Sequence, residues 1–382
     1  MSTPNGGAGS NGHGDMGPEG LNVDGSPVED ARLIKITRVS MAPPVPGVEA
    51  RDGRFPGPSL LPALTSIQRE HGWLPRPELH RLSREWKRPL YEIEGVMSFY
   101  PHFRTDPPKK VDLAVCRDLS CWLSNADERI TEVHARYGDD VEVQVREVSC
   151  LGRCDIAPAI AVQEHPANIA ELGERVEAAR ADKTIESHAK RPGRKFPNDP
   201  YESDSDRYGV LRRVLAGEIS HEQIIQSLSD SGLRGMGGAG FPTGRKWSLV
   251  AAQPGPVKYA ICNADESEPG TFKDRQIMAE QPHLVLEGLL LGMVVSGAEE
   301  GWVFIRHEYN LEEHVLMEEL DYLQSQNLIG PDVLGTGKKL LLDIFTSPGG
   351  YILGEESALL EAMEGHRGEP RNKPPFPGVY GL

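Results

Sequence analysis

Apolar positions recur along the chain in two periods. Leu60, Leu61, Leu64 and Ile67 stand three and four residues apart, the spacing of one helix face. A second helix opens at Pro77 and carries Leu79, Leu82 and Trp86 on one side. The period then falls to two. Val111, Leu113 and Val115 predict a strand ending at Cys116, and Val141, Val143 and Val145 predict another that leads towards Cys150. Between them, Ala126 to Tyr137 reads as a helix capped by Asn125 and stopped by Gly138. A third strand is expected at Ala159 to Val162, and a polar helix from Ala167. This β-α-β-β-α order implies a small α/β domain with both cysteine pairs in loops after strands.

Further on, residues 257–262, 302–306 and 340–345 read as strands separated by helical patterns, so a second, larger α/β domain is expected over 206–382. The charged, Pro-containing stretch 182–205 reads as a linker, and the first domain is placed at 51–181. Residues 1–50, rich in Gly, Pro, Ser and Asn, read as a disordered tail. There is no basic and apolar leader pattern at the start, and Glu287 interrupts the most apolar stretch, 283–298. A cytoplasmic location is therefore expected, with no direct membrane insertion. The chain of 382 residues is 38% hydrophobic and 26% charged, which suits several packed cores. Its formal charge of −16 would repel a polyanionic duplex, which argues against a nucleic-acid partner.

Five cysteines occur, four of them as C-x4-C and C-x3-C: Cys116 with Cys121, and, 28 residues on, Cys150 with Cys154. Two tight pairs can build a four-thiolate cage. Iron–sulfur clusters and structural zinc both take one, and spacing alone leaves the two on an equal footing. Arg153 reads either as a counter-charge to such a centre or as a solvated surface residue. Cys262, in an apolar strand, reads as a structural thiol.

Three further stretches carry chemistry. Gly235, Gly237, Gly238 and Gly240, followed by Phe241 and Lys246, could bring backbone N–H groups and a cation to a phosphate. They satisfy G-x-G-x-x-G, but a helical pattern (Ile224, Ile225, Leu228) precedes them where a Rossmann fingerprint requires a strand. Asn263, Asp265, Glu266 and Glu268 follow a strand, where ligands of α/β sheets gather; in isolation they read as a solvated acidic turn. Tyr351, Gly354, Glu355 and Glu356 open a helix, where carboxylates complement the helix dipole. A rigid proline-rich loop ending near Phe376 could be a plain connector.

The motifs HGWLPRPELHRL, EIEGVMSFYPHF, C-x4-C and VSCLGRCDIAPAIAV together resemble the thioredoxin-fold [2Fe-2S] subunit of the NADH dehydrogenase module of respiratory complex I. The glycine loop ending in GFPTGRKW, then NADESEPGTFKDR, then YILGEE, then RGEPRNKPPFP resemble the FMN- and NADH-binding flavoprotein subunit of the same module. The resemblance implies a fused α/β chain: a thioredoxin-like [2Fe-2S] domain with N-terminal helices, then a Rossmann-like FMN/NAD-binding domain. It implies a [2Fe-2S] cluster on Cys116, Cys121, Cys150 and Cys154. It implies FMN contacts from the glycine loop, Lys246, Asn263, Asp265, Tyr351, Gly354 and Glu355. Nicotinamide-nucleotide contacts are implied for Phe241, Lys246, Glu266, Glu268, Glu356 and Phe376, with Phe241 stacking on a ring. No catalytic acid or base is implied, because hydride would pass directly from NADH to the flavin.

The implied activity is that of an electron-entry (diaphorase) subunit. It would work with partner subunits, including an iron–sulfur electron acceptor, in an NADH dehydrogenase, an NAD-linked formate dehydrogenase or an NAD-reducing hydrogenase. Met236 stands where the family usually has Arg, Leu353 where it has Cys, and Leu249 where a second aromatic is common. The family continues past the position of Leu382 into an asparagine-rich flavin-contacting turn, a β domain and a [4Fe-4S] domain, so weakened FMN affinity is expected of these residues alone. Two other readings are a truncated, non-catalytic assembly subunit and a zinc-stabilised binding protein.

Overall fold

In the computed structural model, which describes residues 59–183, 185, 198–255 and 257–382, the first helices form where the apolar periodicity places them. α1 (Leu60–His71) buries Leu60, Leu61, Leu64 and Ile67 and stops at Gly72, whose φ of 78° lies in the left-handed region that glycine tolerates best. α2 (Arg76–Glu85) buries Leu79 and Leu82, with Trp86 as its C-cap. A further helix, α3 (Leu90–Met97), buries Ile93, Val96 and Met97; at eight residues it is too short to show its period in the sequence. The expected tail over 1–50 and most of the expected linker over 182–205 lie outside the described residues.

Next comes a four-stranded sheet of order β2-β1-β3-β4. β1 (Val111–Cys116) is buried along its whole length; it leads through a single-turn helix, α4 (Leu119–Trp122), to α5 (Ala126–Tyr137). Asn125 precedes α5 in a left-handed conformation with no side-chain cap, whereas the helix stops at Gly138 as expected, with Gly138 as a right-handed C-cap. β2 (Val143–Val148) runs parallel to β1, whereas β3 (Ala159–Val162) is antiparallel to it. Val141 lies outside β2 and is exposed.

The polar helix expected from Ala167 does not start there. The chain reverses at Gln163 and Glu164, both at positive φ, and forms β4 (His165–Asn168), antiparallel to β3. Pairing of Ala167 with Ile160 buries both, and Pro166, which lacks an N–H, is tolerated because β4 is an edge. α6 (Leu172–Arg180) begins only afterwards. Residues of β1, β3, α5 and α6 share one apolar core. Asp112, on the central strand, is nearly inaccessible and receives hydrogen bonds from Arg104 and Arg146, which hold its carboxyl below the usual range against the penalty of burial.

The second sheet is parallel throughout, in the order β5-β6-β7. It is preceded by α7 (Gly209–Leu215), α8 (His221–Asp230) and α9 (Thr243–Ala251). β5 (Tyr259–Ala264) is followed by α10 (Lys273–Glu280) and α11 (Pro282–Ser296), then β6 (Glu300–Arg306), α12 (Asn310–Ser325), β7 (Leu341–Ser347) and α13 (Glu356–Met363). α11 covers the expected apolar stretch. Its Glu287 is buried but satisfied, accepting from the Tyr201 hydroxyl at 2.6 Å and the Leu211 N–H at 3.0 Å. Among the described residues no helix is long and apolar enough to cross a membrane.

Parallel sheets need both faces covered. One face packs on α7, α11 and α12, through Leu286, Leu290, Val303 and Ile305 among others. The other face, with Trp302, Phe304 and Phe345, packs on α13 and on the helices of residues 60–103. Phe304 and Phe345 stack with ring centroids 5.3 Å apart. So α1, α2 and α3 share the core of the second sheet, while residues 111–179 have a core of their own. Tyr100 closes this layer by donating to the His366 carbonyl at 2.7 Å.

Where α9 crosses α8, a Cβ on Gly244 would lie 2.5 Å from the Ser229 hydroxyl and 2.9 Å from the Ile225 carbonyl. Gly244→Ala should therefore destabilise by roughly 1–3 kcal/mol, the usual cost of overpacking. Gly288, on the exposed side of α11, has open space around it. Gly288→Ala should stabilise by roughly 0.5–1 kcal/mol. Thermal and denaturant melts of both variants beside the parent check the contrast in sign.

Candidate functional site

All four paired cysteines converge at the end of β1. Cys116 closes that strand, Cys121 sits in α4, and Cys150 and Cys154 flank the turn that leads to β3. Their contacts run as two pairs, Cys116 with Cys121 and Cys150 with Cys154 (Sγ–Sγ 3.4 Å), joined through Cys116 and Cys150. A single tetrahedral ion would draw all four sulfurs to about 2.3 Å from one point. Two pairs joined along one edge fit a binuclear cluster, with two sulfurs for each iron.

Backbone N–H groups are aimed at the sulfurs: Ala159 at Cys121 (3.3 Å), Gly152 at Cys150 (3.4 Å) and Gly270 at Cys154 (3.2 Å). Such donors stabilise sulfur-borne negative charge. Crowding decides which thiol would ionise first. The bond with Cys121, together with burial, pushes Cys116 up to about 11, while the same bond lowers Cys121. Cys262 lies within β5, away from this group, and burial pushes its thiol up to about 12.

The turn bearing Cys150 and Cys154 is pressed against the carboxyl ends of the second sheet. Gly152, at φ 69°, lies on the Tyr309 ring, where a Cβ would come within 2.4 Å. Arg275 donates to the Gly152 carbonyl at 2.8 Å and pairs with Asp155 at 2.8 Å. Arg153 is not the solvated surface residue that one reading of the sequence allows. It is buried and paired through both terminal nitrogens with Glu312 at 3.3 Å. Arg306, the last residue of β6, donates to the carbonyls of Cys150 (2.6 Å) and Glu266 (2.7 Å) and is held by Glu308. Sequence reading did not single out Arg275, Arg306, Glu308, Tyr309 or Glu312. The signal available was a charged and aromatic run directly after a strand, the same rule that drew attention to Asn263 and its neighbours.

The acidic loop sorts its side chains. Asn263 donates to the Gly354 carbonyl at 2.9 Å and accepts from the Asp265 N–H, which ties the end of β5 to the turn before α13. Asp265 is buried with neither carboxylate oxygen hydrogen-bonded, although Ser267 is near. Burial pushes it up to about 7 against the pull of Arg306. An orphaned buried carboxylate is costly and calls for a donor, which FMN has in its ring N–H and ribityl hydroxyls.

Glu266 turns the other way. It accepts from the N–H groups of Asp274 and Arg275 at the start of α10 and from the Tyr309 hydroxyl at 3.0 Å. Glu268 accepts from the exposed Tyr351 hydroxyl at 2.6 Å. Glu355 caps α13 and meets Lys373 at 2.7 Å; against the penalty of burial, Lys373, Ser357 and the Ala358 N–H hold its carboxyl down to about 2. Glu356 is exposed and also bound by Lys373, at 2.8 Å. Lys373, from the proline-rich loop, is thus a site residue that sequence reading passed over within a motif it had quoted.

The glycine loop closes on itself, through Gly235 N–H to the Phe241 carbonyl at 3.0 Å and Arg234 to the Gly240 carbonyl at 2.9 Å. It follows helix α8 and opens α9, as its departure from a Rossmann fingerprint requires. A Cβ on Gly237, Gly238 or Gly240 would meet nothing, and the latter two have φ of 95° and 58°. The loop is therefore an open cradle of backbone. Phe241 beside it is exposed, with the Arg245 guanidinium 5.9 Å from its ring centre; Lys246 and Phe376 are also exposed.

Four cysteines gathered beside a four-stranded sheet, docked on a parallel sheet with an open glycine loop, suit an iron–sulfur flavoprotein. Comparison with known proteins is specific on both halves. Residues 54–188 match the thioredoxin-like [2Fe-2S] ferredoxin family, and residues 228–381 match the Nuo51 FMN-binding domain. Together the two matches cover most of the chain, and [2Fe-2S] and FMN are the cofactors for which those families are named. It is 31% identical over 356 residues to the NAD-reducing hydrogenase HoxS subunit alpha of Cupriavidus necator, covering 84% of this chain and 58% of that one. It is 45% identical over 194 residues to an NADH-quinone oxidoreductase subunit of Aquifex aeolicus, covering 51% and 44%. A crystal structure of NAD+-reducing [NiFe]-hydrogenase in the H2-reduced state superposes with a TM-score of 0.71 at 28% identity, over 82% of this chain and 56% of that one. The chain spans about half the length of the curated relatives it matches.

Cys150→Ser should abolish the absorption and paramagnetic signals of the cluster while leaving the flavin content unchanged, as measured on anaerobically purified chain. The raised Asp265 pKa carries a pH signature. The folded state holds this proton up to about 7 and the unfolded state releases it near the ordinary carboxylate value of 3.8. Asp265 thus contributes stability below the lower value that is lost as pH rises through the upper one. Without flavin, the parent should lose stability more steeply than Asp265→Asn across that window in denaturant titrations. Asp343, raised by burial to about 6, acts in the same direction in both proteins and cancels from the comparison.

Proposed function

We propose that the chain is an electron-entry subunit that oxidises NADH, or reduces NAD+ in reverse, through FMN and the [2Fe-2S] cluster. The observation that carries this reading is a single loop that touches both sites. Asp265 at its start is buried with no donor, which suits a flavin contact, and Gly270 five residues on donates to the sulfur of Cys154. FMN, when bound, takes up an electron pair from a reduced nicotinamide and passes electrons on singly.

This chain's residues bind and orient. The backbone of Gly237, Gly238 and Gly240 receives the flavin phosphate, with Lys246 supplying charge. Asp265 accepts from the flavin, and Asn263 and Gly354 fix the floor beneath it. Phe241, Glu268, Glu356 and Phe376, all exposed, receive the nicotinamide nucleotide. Glu266 and Glu355 act through what they hold, the start of α10 and of α13. Electrons leave towards an iron–sulfur partner subunit of a larger complex in the cytoplasm.

The test is anaerobic purification, followed by visible absorption, paramagnetic resonance and NADH-driven ferricyanide reduction. A flavin band, a reducible [2Fe-2S] signal and turnover are expected. A colourless chain containing zinc would refute the reading. Glu356→Ala should raise KM for NADH roughly tenfold, about 1.4 kcal/mol, with the cluster spectrum unchanged. Steady-state kinetics beside the spectrum check this, and equal loss of both would count against separate sites.

A further inference from the structure

We propose that Arg306 is a positioning residue that locks the cluster-bearing turn onto the flavin loop and raises the reduction potential of the cluster. The proposal rests on the reading of Cys116, Cys121, Cys150 and Cys154 as [2Fe-2S] ligands. Three guanidinium groups reach the turn between Cys150 and Cys154. Arg153, itself in the turn, pairs with Glu312 and bonds no cysteine carbonyl, and Arg275 bonds the Gly152 carbonyl while paired with Asp155. Of the three, only Arg306 bonds the carbonyl of a cysteine ligand, at 2.6 Å from Cys150. Its other terminal nitrogen bonds the carbonyl of Glu266, 2.7 Å away, beside the unpartnered carboxylate of Asp265. One planar group therefore spans a ligand of one cofactor site and the backbone of the other.

Its aim is fixed from the far side. Glu308 accepts from Nε at 2.9 Å and from Nη2 at 2.7 Å, and the Tyr309 ring lies 5.3 Å from the guanidinium carbon. Arg306 is only 3% exposed, so its charge acts through protein with little screening. Reduction adds one electron to the cluster. A cation bonded to a ligand residue stabilises the more negative, reduced state, and so raises the potential. The fork serves the lock and the charge serves the potential: a lysine ammonium at this position carries the charge without a plane that meets both carbonyls and Glu308.

The test uses the full chain with redox titration of the cluster's paramagnetic signal against dithionite. Arg306→Met should lower the midpoint potential. Glu308→Gln, which leaves the Arg306 charge uncompensated, should raise it, and Arg306→Lys should stay closer to the parent than Arg306→Met. A purely structural role does not generate shifts of opposite sign from the two members of one ion pair. Unchanged potentials, or shifts of the same sign, would overturn the proposal. If Arg306→Met does not fold, Glu308→Gln still decides, since absence of an upward shift refutes the electrostatic role. A parent chain with no [2Fe-2S] signal overturns the cluster assignment itself, a failure distinct from equal potentials in cluster-bearing variants.

Discussion

A parallel sheet exposes no face that water can solvate cheaply, and this constraint organises the whole chain. β5, β6 and β7 carry large apolar residues on both sides. Their own crossover helices cover one face. The other is covered by α13 and by helices from the far end of the chain, α1 to α3, which precede the cluster domain in sequence. Closing that face fixes where the thioredoxin-like sheet begins. β1 starts a few residues after Phe103, which is already buried in the shared layer, and the Arg104–Asp112 pair clamps the passage between them. The cysteine turn then has little freedom except to meet the carboxyl ends of the second sheet.

That meeting is electrostatic where the layer beneath it is apolar. Arg153, Arg275 and Arg306 are all buried, and each is matched with a carboxylate. Such pairs recover little net stability after desolvation, but a misaligned one leaves a charge stranded. They therefore act mainly by permitting one docking geometry. Asp265 breaks the pattern: it is buried beside the same junction with no donor of its own. Glu266 and Glu312 at the same junction are both hydrogen-bonded, whereas neither oxygen of Asp265 has a partner.

Much of this was legible beforehand. Periodicity located the helices with Leu64 and Leu79, the strands with Leu113 and Ile160, and the three parallel strands to within two residues. Motif spacing brought out the four cysteines, which the fold gathers at the end of β1, and resemblance to a family drew attention to the glycine and acidic loops. Other features were hidden for identifiable reasons. β4 was masked by helix-compatible composition around Ala167, and only pairing with β3 made it a strand. Gly244, within a motif that suggests phosphate binding, serves helix packing, because Ser229 lies against it.

The sequence by itself determined most of the local elements and the pairing of cysteines in two short motifs, since each depends on residues a few positions apart, while the choice of cofactors rested on resemblance to a known family. Tertiary structure alone decided what those elements do to one another. It turned Glu266 inward onto α10 and left Asp265 open, and it buried Arg153 against Glu312. It also brought Gly270 to Cys154 and Arg306 to Cys150 from 116 and 156 residues away. Contacts at such separations leave no period and no spacing in the chain. They arise when burial of the sheet's second face and satisfaction of buried charges are met together.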